Sequence, residues 1–330
     1  MSVAEIALVL VALAFAWSIG AHYTGACMGM PYGSGSIRLR PALVTMAVLA
    51  MAGAALASHR VEVTVGLQII DARQVTLVGA AVILVVAFAL TTVYTALRVP
   101  TSTIQILVFS VAGMALGGGV AIDWATIARL AAIWAVAPPL AGCLGYLLTR
   151  GLDRVVPTPP RAPGAGAGEG ARAGLGPWPL LLVLVGAAAS FTMGGNDVAN
   201  ATGMLVMTRS FNVWTAGILG GAGLLVGVLT WGRPLLKAVA FDIVRVDLPM
   251  ATAAQLVQAV VVFTAVLLGL FTSMNQALVG AMTGAGLARG QAAVRWATVG
   301  NIVRGWLVGP PTALALGFLC ARLAAVWWRL

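Results

Sequence analysis

Ten apolar runs follow one another along the chain, at roughly 3–18, 41–57, 75–97, 103–119, 125–148, 178–193, 212–231, 252–271, 274–289 and 294–321. Several approach the roughly 20 residues an α-helix needs to cross a bilayer. Unpaired backbone groups are too costly in hydrocarbon, so such runs fold as helices. The chain is 61% hydrophobic and 8% charged, whereas a soluble domain carries roughly 25% charged residues. An all-α polytopic membrane protein follows, with the lipid bilayer as its surroundings. The formal charge is +10, and its nineteen basic residues fall mostly between apolar runs. That placement sets topology and argues against a nucleic-acid partner. Cys27, Cys143 and Cys320 show no metal or redox spacing and read as small apolar packing residues. The opening run lacks a basic n-region, which predicts a first membrane segment instead of a cleaved signal.

Residues 150–177 are rich in Arg, Pro and Gly. Such a stretch cannot bury a core and reads as a flexible linker between segments 1–149 and 178–330. The two flanking segments resemble each other. GAHYTGACMGM from Gly20 aligns without gaps on GGNDVANATGM from Gly194, at an offset of 174. TSTIQILVFSVAGMALGGG from Thr101 aligns on TSMNQALVGAMTGAGLARG from Thr272, at 171. WAVAPPLAGCLGY from Trp134 aligns on WLVGPPTALALGF from Trp306, at 172. Three matches in order at nearly one offset indicate an internal duplication.

About five segments per half, an odd number, predicts two inverted repeats. With the linker cytoplasmic, the loops on its side hold Arg38, Arg40, Arg98, Arg150, Arg154, Arg161, Arg172, Arg233, Lys237, Arg245, Arg289 and Arg295. The far side holds only Arg60, Arg73, Arg209, Arg322 and Arg329. That asymmetry fits the positive-inside rule. Short runs interrupted by Gly or Pro at matching places predict broken or re-entrant helices.

The stretch SFTMGGNDVANATGM, Ser190–Met204, places Asn196, Asp197 and Asn200 beside glycines in an apolar setting. An acid there is a functional-site hypothesis by default. Gly194 and Gly195 are expected to open the helix and free N–H groups for an anion. Asp197, Asn196 and Asn200 would supply oxygens for a hard cation such as Na⁺. The matching first-half positions hold His22, Tyr23 and Ala26, so the acid is lost there. YGSGS, with Gly33, Ser34 and Gly35, offers hydroxyls and pliable backbone suited to an oxyanion. Thr101 and Ser102, like Thr272 and Ser273, each begin a short run. Their hydroxyls either cap a helix or face a ligand. His22 is read as a structural histidine or a proton carrier. Arg304, one turn from Asn301, either faces the anion or snorkels to an interface.

GGNDVANATG resembles the signature of the inorganic phosphate transporter family, in which a G-x-N-D-x-x-N motif recurs in both inverted halves. IGAHYTGACMGMPYGSGSI looks most like the bacterial sulfate permease branch of that family, whose first signature has also lost its Asn-Asp. The resemblance spans nearly the whole chain. It implies a secondary transporter in the plasma membrane that moves a tetrahedral oxyanion by alternating access, coupled to H⁺ or Na⁺ and with no other cofactor. It also implies a homodimer. The site it implies combines Gly194, Gly195, Asn196, Asp197, Asn200, Thr101, Ser102, Thr272 and Ser273, with His22 and the Asp197 group as the coupling-ion side. Loss of one acid slightly favours sulfate over phosphate, because phosphate near neutral pH carries a proton that wants an acceptor. A phosphate transporter proper is the alternative; an anion channel and a membrane lipid-phosphate enzyme rank lower. An enzyme would need a nucleophile with a base or converging acids and arginines, and His22 and His59 lie far apart in sequence.

Overall fold

The computed structural model describes residues 2–58, 69–71, 74–156, 176–209, 211–267 and 272–327. His59 and most of the stretch read as a linker lie outside the described residues. Short polar side chains start many of the helices. Ser2 and Glu5 form a capping box on α1 (Val3–His22). Only Tyr23 separates α1 from α2 (Thr24–Gly33). Next come α3 (Leu39–Ala57) and α4 (Leu77–Ala96), the latter capped by Thr76 on the Gly79 N–H. Ser102 caps α5 (Thr103–Gly118) and Asp123 caps α6 (Trp124–Leu152). Beyond residue 175 lie α7 (Pro177–Met207), α8 (Val213–Trp231), α9 (Arg233–Phe241) and α10 (Leu248–Leu267). Ser273 caps α11 (Met274–Leu287), and α12 (Trp296–Trp327) ends the described chain. Among the described residues, eight helical stretches are long and apolar enough to cross a bilayer, α1 and α2 counting as one. Leu10, Val48, Leu147, Phe263 and Leu307 are among the large apolar side chains left facing outward, as contact with lipid requires.

The sequence places helix breaks at the glycines of the two signature stretches. The structure places them elsewhere. α7 runs unbroken through Gly194 and Gly195. Across Tyr23 the helical bonds continue, from its N–H to the Ile19 carbonyl and from the Cys27 N–H to its own carbonyl. These glycines serve close approach. A Cβ on Gly194 would run into the Ala50 carbonyl of α3, and one on Gly20 into the Leu224 carbonyl of α8. The cost of glycine in a helix, about 1 kcal/mol, is met by backbones packed face to face.

The breaks lie ahead of α5 and α11. α5 has 16 residues, about 24 Å of rise, which is short of a hydrocarbon core of about 30 Å. Residues 99–102 lead into it as non-helical chain. The N-terminus of α5 starts inside the protein, with Thr101, Ser102 and Thr103 all buried. α11, with 14 residues, is shorter still.

Contacts between the two halves recur in pairs. Gly20 meets Leu224 where Gly194 meets Ala50, and Gly53 meets Phe191 where Gly227 meets Trp17; every partner lies 174 positions from its counterpart. Gly113 meets Leu314 where Gly284 meets Gly142. Correspondingly α1 packs on α8 and α7 on α3, while α5 packs on α12 and α11 on α6. Beyond the spans, Arg289 bonds Asp153 at 2.5 and 2.6 Å and Asp247 at 2.8 Å, tying the ends of α6 and α11 to the start of α10. Donating to Asp153 and then to Asp247, the guanidinium holds its proton more firmly than usual.

Candidate anion site

The N-termini of α5 and α11 come together in the protein interior. The Gln105 amide donates to the Gln276 carbonyl oxygen at 3.5 Å, and Gln276 returns the bond at 3.2 Å. Each glutamine sits at the same place in its own helix, three residues after the capping serine. Ser102 accepts from the Gln105 N–H and Ser273 from the Gln276 N–H. The serines therefore cap, yet capping uses only the oxygen as acceptor. Each hydroxyl proton stays available to a ligand. Two helix starts, each with unpaired N–H groups and a positive dipole end, favour an anion.

The residues ahead of α5 are held by both halves. The Asn275 amide donates to the Thr101 carbonyl at 2.7 Å, and the Trp306 indole donates to the Pro100 carbonyl at 2.9 Å. His22 completes the hold. Its Nδ1 lies 2.8 Å from the Thr95 hydroxyl, which already donates to the Thr91 carbonyl. Nδ1 must therefore carry the proton. Nε2 then accepts from the Thr101 N–H at 3.1 Å. Nε2 also lies 3.2 Å from the Thr101 carbonyl oxygen, but that oxygen is the acceptor for Asn275. Both ring nitrogens are committed, so of the two readings of His22 the geometry fits the structural one.

Asp197 is 4% exposed and is the only Asp or Glu buried among the described residues. The Asn200 amide, one turn on and on the same helix face, reaches its Oδ1 at 3.4 Å. Among the described residues its Oδ2 has no hydrogen-bond partner, and neither does the Thr272 hydroxyl. Tyr23 and Asn196 lie against the carboxyl. The Tyr23 hydroxyl is 2.9 Å from that of Thr103 in the first turn of α5. A buried acid with an open oxygen thus connects through one phenol to the paired helix starts.

Several sequence expectations land elsewhere. Gly194 and Gly195 face α3, so their N–H groups are spent in the helix and are not offered to an anion. Gly33 is the tenth and last residue of α2 and Ser34 and Gly35 follow it, about 15 Å along the helix from Tyr23. They close the C-terminal end of α2, where the negative end of the helix dipole disfavours an anion, and Ser34 bonds Ser36 and the Pro31 carbonyl. Arg304 is exposed and donates to Asn301 at 3.5 Å. Sequence reasoning did not single out Tyr23, Thr103 or Asn275 for the site. Tyr23 was detectable as the counterpart of Asp197 in the internal alignment. Asn275 had only its polarity in an apolar run to mark it.

Comparison with known proteins adds the decisive observation. The profile of the Phosphate transporter family matches residues 19–165 and 169–317. The chain belongs to the Phosphate transporter family. It is a multi-pass membrane transporter, not an enzyme. Sulfate permease CysP of Bacillus subtilis (strain 168) is 28% identical over 326 residues, which cover 97% of this chain and 88% of the permease. Inorganic phosphate transporter 2-1, chloroplastic, of Arabidopsis thaliana is 27% identical over 406 residues, covering 92% of this chain and 69% of the relative. A solved structure described as the sodium-dependent phosphate transporter superposes with a TM-score of 0.84 at 21% identity, covering 98% of this chain and all of that one. At that identity it establishes the shared fold.

Proposed function

We propose that this Phosphate transporter family member is a secondary transporter of an inorganic tetrahedral oxyanion, sulfate slightly ahead of phosphate, working by alternating access between two inverted halves. The observation that carries the reading is the meeting of two capped helix N-termini inside the apolar core, locked by Gln105 and Gln276 beside the buried Asp197. The reciprocal contacts between halves support the inversion, since units related by a two-fold axis exchange contacts in this way. Ser102, Ser273, Thr101 and Thr272 bind the anion with the helix starts. Asp197, Asn196 and Asn200 receive the coupling Na⁺ or H⁺, drawn by the open Oδ2. A single buried carboxylate suits sulfate, which brings no proton in need of an acceptor. The protein lies in the plasma membrane with residues 150–177 in the cytoplasm, and it works as a homodimer.

Uptake of labelled sulfate and phosphate into liposomes containing the purified protein tests this reading. Excess sulfate is expected to suppress phosphate uptake at every pH. Phosphate should compete with sulfate to an extent that follows its own protonation. Phosphate uptake untouched by excess sulfate would make this a phosphate transporter proper.

A further inference from the structure

In the internal alignment Tyr23 occupies the place of Asp197. The structure brings these two counterparts together across the halves, with the phenol against the carboxyl. Tyr23 is 1% exposed, and its hydroxyl is 2.9 Å from the Thr103 hydroxyl at the start of α5. Either hydroxyl can donate in that contact. With Thr103 as donor, the phenol proton is free for the open Oδ2 of Asp197. The Asn200 counterpart is Ala26, which has no oxygen to offer a cation. On the same first-half stretch His22 has both ring nitrogens committed to Thr95 and Thr101. The first half thus presents a neutral donor where the second half presents an acid.

We infer that Tyr23 sets the coupling stoichiometry of this transporter, by filling with a phenol O–H the place where a second acid would require a co-transported cation. The inference rests on the transport reading above. Two carboxyls in contact inside a protein do not both ionise unless a cation lies between them. A phenol needs none. With its proton turned toward Oδ2 it can donate to the carboxylate, in a hydrogen bond stronger than one between neutral groups, and its 2.9 Å contact with Thr103 links that carboxylate to the α5 start. With no oxygen ligand from Ala26 and no second acid, the position at Asp197 takes a proton in preference to Na⁺, and anion uptake depends only weakly on Na⁺.

Tyr23→Asp tests this by restoring the second acid. In liposomes, sulfate uptake by the wild-type protein should be nearly the same in sodium and in choline buffer. Uptake by Tyr23→Asp should rise about tenfold or more with Na⁺, within the usual span of coupling between two ligand sites. Tyr23→Asn, of similar polarity but uncharged, should stay flat. Thermal unfolding in detergent gives a readout that needs no transport. Na⁺ but not choline should raise the Tm of Tyr23→Asp, and should raise it more than that of the wild type. Steep sodium activation of the wild type would overturn the inference. So would a flat response of Tyr23→Asp in both assays, or an equal rise in Tyr23→Asn. If the wild type takes up neither anion, the transport reading fails, while the sodium-dependent Tm difference still decides the role of Tyr23.

Discussion

The stretches around Gly20 and Gly194 share a backbone role and differ in chemistry. In each, a glycine lets one half press its helix onto a backbone carbonyl of the other, Gly20 on Leu224 and Gly194 on Ala50. One turn later they part. The second-half stretch holds the buried acid Asp197, whereas the first-half stretch holds His22 with both nitrogens spent and Tyr23 bonded to Thr103. One stretch scaffolds the helix start of α5, and the other carries the charge.

The largest expected effect is on the charge itself. Asp197→Asn keeps the shape and removes the acid, and uptake of either anion should fall to the level of empty liposomes. Normal uptake by that variant would move the coupling site away from Asp197. The shared packing role predicts the next effect. Gly20→Ala and Gly194→Ala each push a methyl group into a facing carbonyl, so each should cost about 1–3 kcal/mol of stability. Thermal unfolding in detergent reads this, and a loss confined to one of the two would break the equivalence of the stretches. The smallest effect concerns His22. His22→Gln should lower the Tm, since a buried donor or acceptor left unpaired costs about 1–3 kcal/mol. The variant protein that does fold should keep the pH profile of wild-type uptake. A flattened profile would show that His22 carries the proton after all.

Much of the architecture was legible in the chain. The apolar runs announced the helices, and the three ungapped matches contain some of the positions that make reciprocal contacts, Gly20 with Gly194 and Gly113 with Gly284. Asp197 stood out because an acid in such surroundings is expensive. The glycines misled. Gly194 and Gly195 look like helix breakers when read locally, yet the helix passes straight through them. A glycine that breaks a helix and one that admits a neighbouring backbone have the same letter. Only the presence of α3 against α7 tells them apart. Gly33, Ser34 and Gly35 misled in another way. Their composition suits an oxyanion, but they close a helix at its carbonyl end.

Residue types by themselves determined that this protein lives in a bilayer, is helical and carries one costly acid. Hydrophobicity and backbone satisfaction are decided along the chain, one segment at a time. The tertiary structure alone decided which groups meet. It placed the starts of α5 and α11 together through Gln105 and Gln276, residues 171 positions apart, and it set Tyr23 against Asp197, its own counterpart. A site of this kind forms only when two halves close on one another, and the chemistry of the junction belongs to the pair of stretches and to neither of them separately.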